Sequence, residues 1–460
     1  MTTRTTGTTA PVTGTNGLDT RVRTRRRLAS NQADLYIADQ AAEDSTAYHA
    51  AMVYRVTGRI DEAALAERFD RLLLVHPMLA SRVVEEQDGW FFEPAEHTPA
   101  LHVATVPVDP DGERARRRVR NECLRPLGPG RGPMVRAVLL RYRADIADLI
   151  VVAHHLVVDE PSFAVLADWL LAGREVTPAH SYEEWADASH DLSPARSERA
   201  ATLREELGSA DLSPSLGWAD GQSGTTGAGL TEARLPAELW EGIRRLSAEM
   251  RITPYSFVLG ATGLVLGRNS RAARPVIGAT VSRRSPRYAA TIGYFNSTVL
   301  LPVDLAGDSS VAGFLQAVHS RSVRAYRDAD LPLSTVLPES SGGAPHLVVV
   351  PSAPMPEPTT VSSRCVPRLD IDLGTAQFPL ALYLHQEPHG GVRGLLRFQY
   401  GAVSASAAER FCRALETVLT GFVADPAAAL DDVDTVAPED ARHLLALGSG
   451  SDTEADVPAG

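Results

Sequence analysis

Apolar and polar positions follow two rhythms along this chain, one of period two and one of period near 3.6, and together they predict short alternating strands and helices. Residues 46–57 read as a strand. From Asp61, an N-cap position by its chemistry, the run EAALAERFDRLLLVHP puts Leu65, Phe69, Leu72 and Leu73 on one helical stripe. Residues 79–105 read as strands and turns, with a hairpin at Gln87-Asp88-Gly89, and a helix follows over 111–124. VRAVLLRY (135–142) and DLIVVAHH (148–155) are two apolar runs joined by a short polar turn, which predicts a hairpin. The second run is nearly all apolar, as in a strand buried on both faces. Pro161 then suits the first position of a helix through FAVLADWLLA.

Residues 208–229 are dense in Gly, Ser and Pro and read as a linker between two lobes, 28–207 and 230–445. Beyond it the pattern predicts helices over 236–250, 254–268, 310–327 and 404–423. Strands are expected near 275–282, 297–304, 346–351, 379–386 and 393–400. Both halves thus read as mixed α/β sandwiches of similar size. The 460 residues exceed the ~250–300 at which a single core stops growing, which agrees with two lobes. Residues 1–27, rich in Thr, Gly and Arg, are expected to be a disordered leader, and 446–460 a flexible tail.

Composition narrows the chemistry. A hydrophobic fraction of 44% and a charged fraction of 22% fit a soluble globular protein. No apolar run approaches the ~20 residues of a membrane span, and no signal core is visible, so a cytoplasmic location is expected. The net charge of −12 argues against a nucleic-acid binder. All 45 basic residues are arginine. That excludes a lysine Schiff base and a Walker-type phosphate lysine. There is also no G-x-S-x-G elbow and no H-E-x-x-H. Cys123, Cys365 and Cys412 are too far apart for a metal or disulfide framework and read as buried thiols.

The segment HHLVVDE (154–160) carries the remaining chemistry. His154 and His155 are adjacent at a strand end and point to opposite faces, so they do not chelate one metal together. Zinc needs three or four converging ligands, and no resident metal is expected. A neutral imidazole is the usual general base near pH 7. Asp159 lies where strand turns to helix, and a buried carboxylate there needs a partner. It either orients the histidine or pairs with an arginine and holds the loop.

HHLVVDE resembles the HHxxxDG signature of condensation domains of nonribosomal peptide synthetases, a family that shares its fold with chloramphenicol acetyltransferase. Other segments resemble the family's in the same order: Gln32, Leu35 and Tyr36 at the start, then HPMLASR (76–82), VIGATVSRR (276–284), IGYFNST (292–298), ADLPLSTVL (329–337), TAQFPLAL (375–382) and the ending 409–440. The resemblance covers about residues 28–445. It implies an α/β pseudodimer of two acetyltransferase-like sandwich lobes in a V shape, with a channel between them. It implies that His155 is the catalytic base or positioning residue, that His154 is structural, and that Asp159 pairs with Arg284. Arg283 competes for that role but is expected to face the other way. No bound cofactor is implied. The donor would be an acyl or aminoacyl thioester on the phosphopantetheine of a carrier protein. The acceptor would be a small amine or alcohol, or a second carrier. A free-standing, monomeric enzyme with no nucleic-acid or membrane partner is expected. Two relatives of the same fold remain open: an acyltransferase using acyl-coenzyme A, and a non-catalytic recruitment scaffold.

The departures from the family pattern are specific. Glu160 replaces the signature glycine, and Pro161 replaces an aromatic, while Ser162 is retained. Glu160 would either hold a cationic acceptor or act as a carboxylate at a helix N-terminus. Asn296 stands one place early and Ser297 takes its usual position, so both are candidates for acceptor binding. Val75 and Ala80 replace arginines, and Pro379 replaces an aspartate.

Overall fold

A computed structural model describes residues 25–448, apart from 43–45, 191–192, 209, 213–226, 307–308, 338–344, 359–362, 369–370 and 388–390. Two sheets dominate it, and the apolar rhythms explain their placement. The first has five strands in the order Ser363–Pro367, His49–Gly58, Ile146–His154, Val135–Arg143, Leu101–Thr105. The second has six, in the order Asn296–Pro302, Val276–Ser282, Leu347–Ser352, Leu380–Gln386, Val392–Gln399, Ala228–Ala233. A small third sheet joins Arg26–Arg27 to the hairpin Ser81–Glu86 and Gly89–Pro94.

The central strand of the first sheet, Ile146–His154, is buried on both faces, as its unbroken apolar run predicts. Leu149, Val151 and Ala153 enter one core, together with helix Glu62–Val75 and helix Glu160–Leu170. Ile150 and Val152 enter a second core under helix Glu113–Leu124. Leu65, Phe69, Leu72 and Leu73 form the buried stripe of helix Glu62–Val75, and the Asp61 side chain accepts from the Ala64 amide at 3.0 Å. Such a cap contributes about 1 kcal/mol. Helices Ala237–Met250, Pro254–Ser270, Val311–Arg327 and Ala405–Ala424 cover one face of the second sheet, and helix Pro194–Leu207 packs against Val276 and Leu300 on the other.

The halves exchange material. Ser363–Pro367 comes from the second half of the chain yet pairs antiparallel with His49–Gly58 in the first sheet. Beside it, Arg368 reaches the wholly buried Asp148 at 3.0 Å. Asp148 also accepts from Arg55 at 2.5 Å and from the Tyr142 hydroxyl at 2.8 Å. A buried carboxylate with three charged or polar donors fixes where the crossing strand lands. Tyr288, Ile292 and Phe295 of the second half pack into the first core.

Several expectations need correction or restriction. Asp159 is the N-cap of helix Glu160–Leu170, so Pro161 takes the second helical position rather than the first. Arg283 and Arg284 lie beyond the strand, which ends at Ser282. Of the expected leader, residues 1–24 lie outside the described residues, whereas Arg26 and Arg27 pair with Phe92 and Phe91. Of the expected linker, 209 and 213–226 lie outside them, while Asp211 bridges Pro275 and Ala228 opens an edge strand. Of the expected tail, 449–460 lie outside them, and helix Pro438–Gly448 runs through its first residues.

Candidate active site

The buried strand delivers HHLVVDE to the junction of the two halves. The His154 amide donates to the Met134 carbonyl and the His155 amide to the Tyr48 carbonyl, each at 2.9 Å. The chain then turns through residues 155–157 into the helix that Asp159 caps. The two imidazoles diverge from this point.

His154 is fully buried. Its Nδ1 accepts from the Leu156 amide at 3.2 Å, and its Nε2 faces Asp39 Oδ1 at 3.2 Å. An accepting Nδ1 leaves Nε2 as the N–H, so both nitrogens are engaged. His49, opposite His154 on the neighbouring strand, is satisfied in the same way by the Cys123 carbonyl and the Leu127 amide.

His155 is partly exposed and differently held. Its Nδ1 lies 3.1 Å from the Val158 carbonyl, which accepts hydrogen bonds only. Nδ1 therefore carries the proton, and Nε2 keeps its lone pair. Burial pushes this imidazole down to about 4, against an opposing pull from the Val158 carbonyl and the Asp159 charge. The ring is neutral at pH 7. It meets Tyr294 edge-on, with centroids 6.1 Å apart.

Asp159 is wholly buried at the seam. Its Oδ1 accepts from Arg284 Nη2 at 2.6 Å, from the Ser162 hydroxyl at 2.7 Å and from the Ser162 amide at 3.0 Å. Its Oδ2 accepts from the Phe295 amide at 3.2 Å. Arg284 also donates to the carbonyls of Tyr288 and Thr291, and its guanidinium lies over the Phe295 ring at 4.1 Å. Arg283 turns away and lies over Trp185 at 5.0 Å. Gly293 completes the seam. Its amide donates to Ser162 Oγ at 3.1 Å, and a Cβ there would sit 2.0 Å from the Tyr182 ring. Asp159 thus joins the loop after the histidines to the second half and leaves His155 to the Val158 carbonyl.

The remaining candidates separate into two places. Glu160 starts the helix, and its carboxylate accepts from the Ser352 hydroxyl and the Ala353 amide across the junction. Burial raises its carboxyl above the usual range, against the pull of those two bonds. Asn296 and Ser297 line a cleft of about 110 Å³ together with Asn31, Tyr48, Arg283 and Tyr294. Tyr48 and Tyr294, which touch His155 through backbone and ring, connect that cleft to the imidazole. Nothing in the sequence pattern marks Asp39, Tyr48 or Tyr294 individually as site residues. Asp39 lies 115 positions from its histidine, so no local spacing could announce it. Among the described residues, no three His, Cys, Asp or Glu side chains converge as metal ligands, and no helix is long and apolar enough to cross a membrane.

The model of the condensation-domain family matches residues 22–445. Phosphinothricin tripeptide synthetase PhsC of Streptomyces viridochromogenes is 28% identical over 342 residues, 68% of this chain and 31% of its own length. Chondramide synthase cmdD of Chondromyces crocatus is 25% identical over 448 residues, 90% of this chain and 11% of its own. The chain therefore spans less than a third of the length of these relatives. The fold is shared with the X-domain of teicoplanin biosynthesis, in complex with OxyB, at a TM-score of 0.78 and 19% identity, over 92% of this chain and 99% of that one.

Proposed function

This chain belongs to the condensation-domain family, and on that premise we propose that it transfers an acyl or aminoacyl group from a carrier-bound phosphopantetheine thioester to an amine or hydroxyl. The observation that carries the reading is the state of His155. Its Nδ1–H is committed to the Val158 carbonyl, its Nε2 holds a free lone pair, and its ring abuts Tyr294 of the cleft. Nε2 takes the proton of the acceptor as the nucleophile adds to the thioester carbonyl. The tetrahedral intermediate collapses with cleavage of the C–S bond, and the proton passes to the departing thiolate. General base catalysis of this kind contributes about 10²–10⁴-fold. A depressed basicity keeps the lone pair available at neutral pH. In this reading His154 and Asp39 hold the strand end, and the Asp159–Arg284 pair holds the loop.

The partner carrier is expected to be acidic. Helix Glu113–Leu124 and the residue after it carry six arginines, Arg114, Arg116, Arg117, Arg118, Arg120 and Arg125, against Glu113 and Glu122. Such a face favours an anionic partner even on a chain of net charge −12.

The test is mass spectrometry of a reconstituted reaction, with carrier-bound and coenzyme A-bound acyl donors and a panel of amines. Wild type should form product from the carrier-bound donor, and His155→Ala should lose nearly all of it. Equal turnover by the two would overturn the role of His155, and preference for acyl-coenzyme A would move the reading to a soluble-donor acyltransferase. A second reading, a scaffold that recruits another protein, draws on the resemblance to the OxyB-bound X-domain. Absence of product with every donor, in wild type and variant alike, would favour it.

A further inference from the structure

On the face of the second sheet opposite its four covering helices, beyond the strands that helix Pro194–Leu207 packs against, polar side chains form an ordered row. Ser352 is in register with His385, and His385 with Arg393. Residues directly opposite one another project to the same face of a sheet. On this face stand Ser352, Tyr383, His385, Arg393 and Arg397, while Leu380, Leu382, Leu384, Leu396 and Phe398 point into the core. The row begins at Glu160, whose carboxylate accepts from the Ser352 hydroxyl and which lies five residues after His155. Arg393 is two strand spacings from Ser352, about 10 Å. The row therefore starts at the helix that follows the proposed catalytic histidine and runs across the second sheet.

The charges along it are unequally matched. Arg397 donates to Asp372 at 2.8 Å and to the Thr375 carbonyl at 3.1 Å. Glu160 is engaged by Ser352 and Ala353. Glu232, opposite Leu395, is on the same face but makes no ion pair with Arg393. Among the described residues Arg393 has neither a carboxylate nor a carbonyl partner, although the residue is half-buried. Beside it His385, pushed down by burial and by Arg393 and Arg397, lies parallel to the Tyr383 ring at 6.1 Å. An arginine on a half-buried residue, without a carboxylate or carbonyl partner among the described residues and beside an imidazole and a phenol, is suited to receive an oxyanion.

We propose that Arg393, with His385 beside it, binds an oxyanion carried by the substrate of the reaction inferred above. Two sources share this chemistry: a free carboxylate on the acceptor, and the phosphate of the phosphopantetheine arm. The proposal rests on the acyl-transfer reading for its purpose, but its test does not depend on turnover.

Titration calorimetry on the full chain should use two pairs of probes, N-acetylglycine against N-acetylglycinamide and phosphopantetheine against pantetheine. Wild type should bind the anionic member of one pair at least tenfold tighter, the value of one hydrogen bond to a charged group. The pair that shows the preference identifies the source. Arg393→Gln should abolish that preference and leave the neutral member's affinity unchanged. Should that variant fail to fold, Arg393→Lys keeps the charge, and it should retain part of the preference. Equal binding of both members of both pairs by wild type, or a preference unchanged in either variant, overturns the proposal. Loss of condensation in His155→Ala without any anion preference would sink this inference and leave the acyl-transfer reading intact. The opposite result would do the reverse.

Discussion

Replacing Arg284 with methionine removes the charge that faces Asp159 and keeps much of the side chain's bulk. Asp159 is wholly buried and would retain the Ser162 amide, the Ser162 hydroxyl and the Phe295 amide, at 3.0, 2.7 and 3.2 Å. Those three bonds satisfy its lone pairs but supply no countercharge. Breaking a buried ion pair by removing one partner costs about 3–5 kcal/mol. The Tyr288 and Thr291 carbonyls also lose their donor, at about 1 kcal/mol each. An expected loss of about 5–7 kcal/mol follows, read by urea unfolding at pH 7 as a lowered midpoint with an unchanged slope. Asp159→Asn should cost less, about 1–3 kcal/mol, because Arg284 keeps its carbonyl partners. The double variant should be more stable than the sum of the two losses implies, since no isolated buried charge remains. A loss below about 1 kcal/mol in Arg284→Met, or strict additivity in the double variant, would refute the claim that this pair anchors the loop.

Further expectations concern pH and packing. His49, His76 and His155 are each pushed by burial down to about 4 from an unfolded value near 6.5, so between those values the unfolded chain binds more protons. Stability should therefore fall on acidification from pH 6.5 to 4, each histidine adding up to about 1.4 kcal/mol per pH unit. His76→Gln should flatten that slope, and an unchanged slope would contradict the assignment. Glu160 is shifted upward, so the folded chain holds its proton to higher pH, and its stability contribution is lost as pH rises through the carboxylate range. The stability of Glu160→Gln relative to wild type should then be greater at pH 8 than at pH 4, and unfolding midpoints at the two values show whether the sign is right. Gly293→Ala would drive a methyl into the Tyr182 ring and should cost about 1–3 kcal/mol, whereas a neutral effect would mean that the seam is loosely packed.

What could be read before the fold was known followed from local rules. The apolar run before HHLVVDE had to be a strand buried on both faces, and the Asp61 stripe had to be a helix. Two other features arise from contacts between distant parts of the chain. The strand Ser363–Pro367 is short, and its place in the first sheet is fixed by His49–Gly58 and by Arg368 on Asp148. Helix Ser30–Ala41 buries Asn31, Gln32 and Asp39 among its few buried residues, so it carries little apolar periodicity to read. The site was legible in part. Adjacent histidines on a strand had to diverge, and Asp159 needed a partner. The Val158 carbonyl that sets the His155 tautomer is a backbone group with no side-chain signature. Glu160 was readable as a helix-start carboxylate, whereas its bond to Ser352 depends on how the two halves meet.

The central claim is that the Nε2 lone pair of His155 accepts the acceptor's proton. A single-turnover measurement of acyl transfer from a preloaded carrier, wild type against His155→Ala, tests it most directly. The account expects a loss of about 10²–10⁴-fold in the chemical step at pH 7.5, with donor binding unchanged. A loss of less than about threefold, or one confined to donor binding, would contradict it.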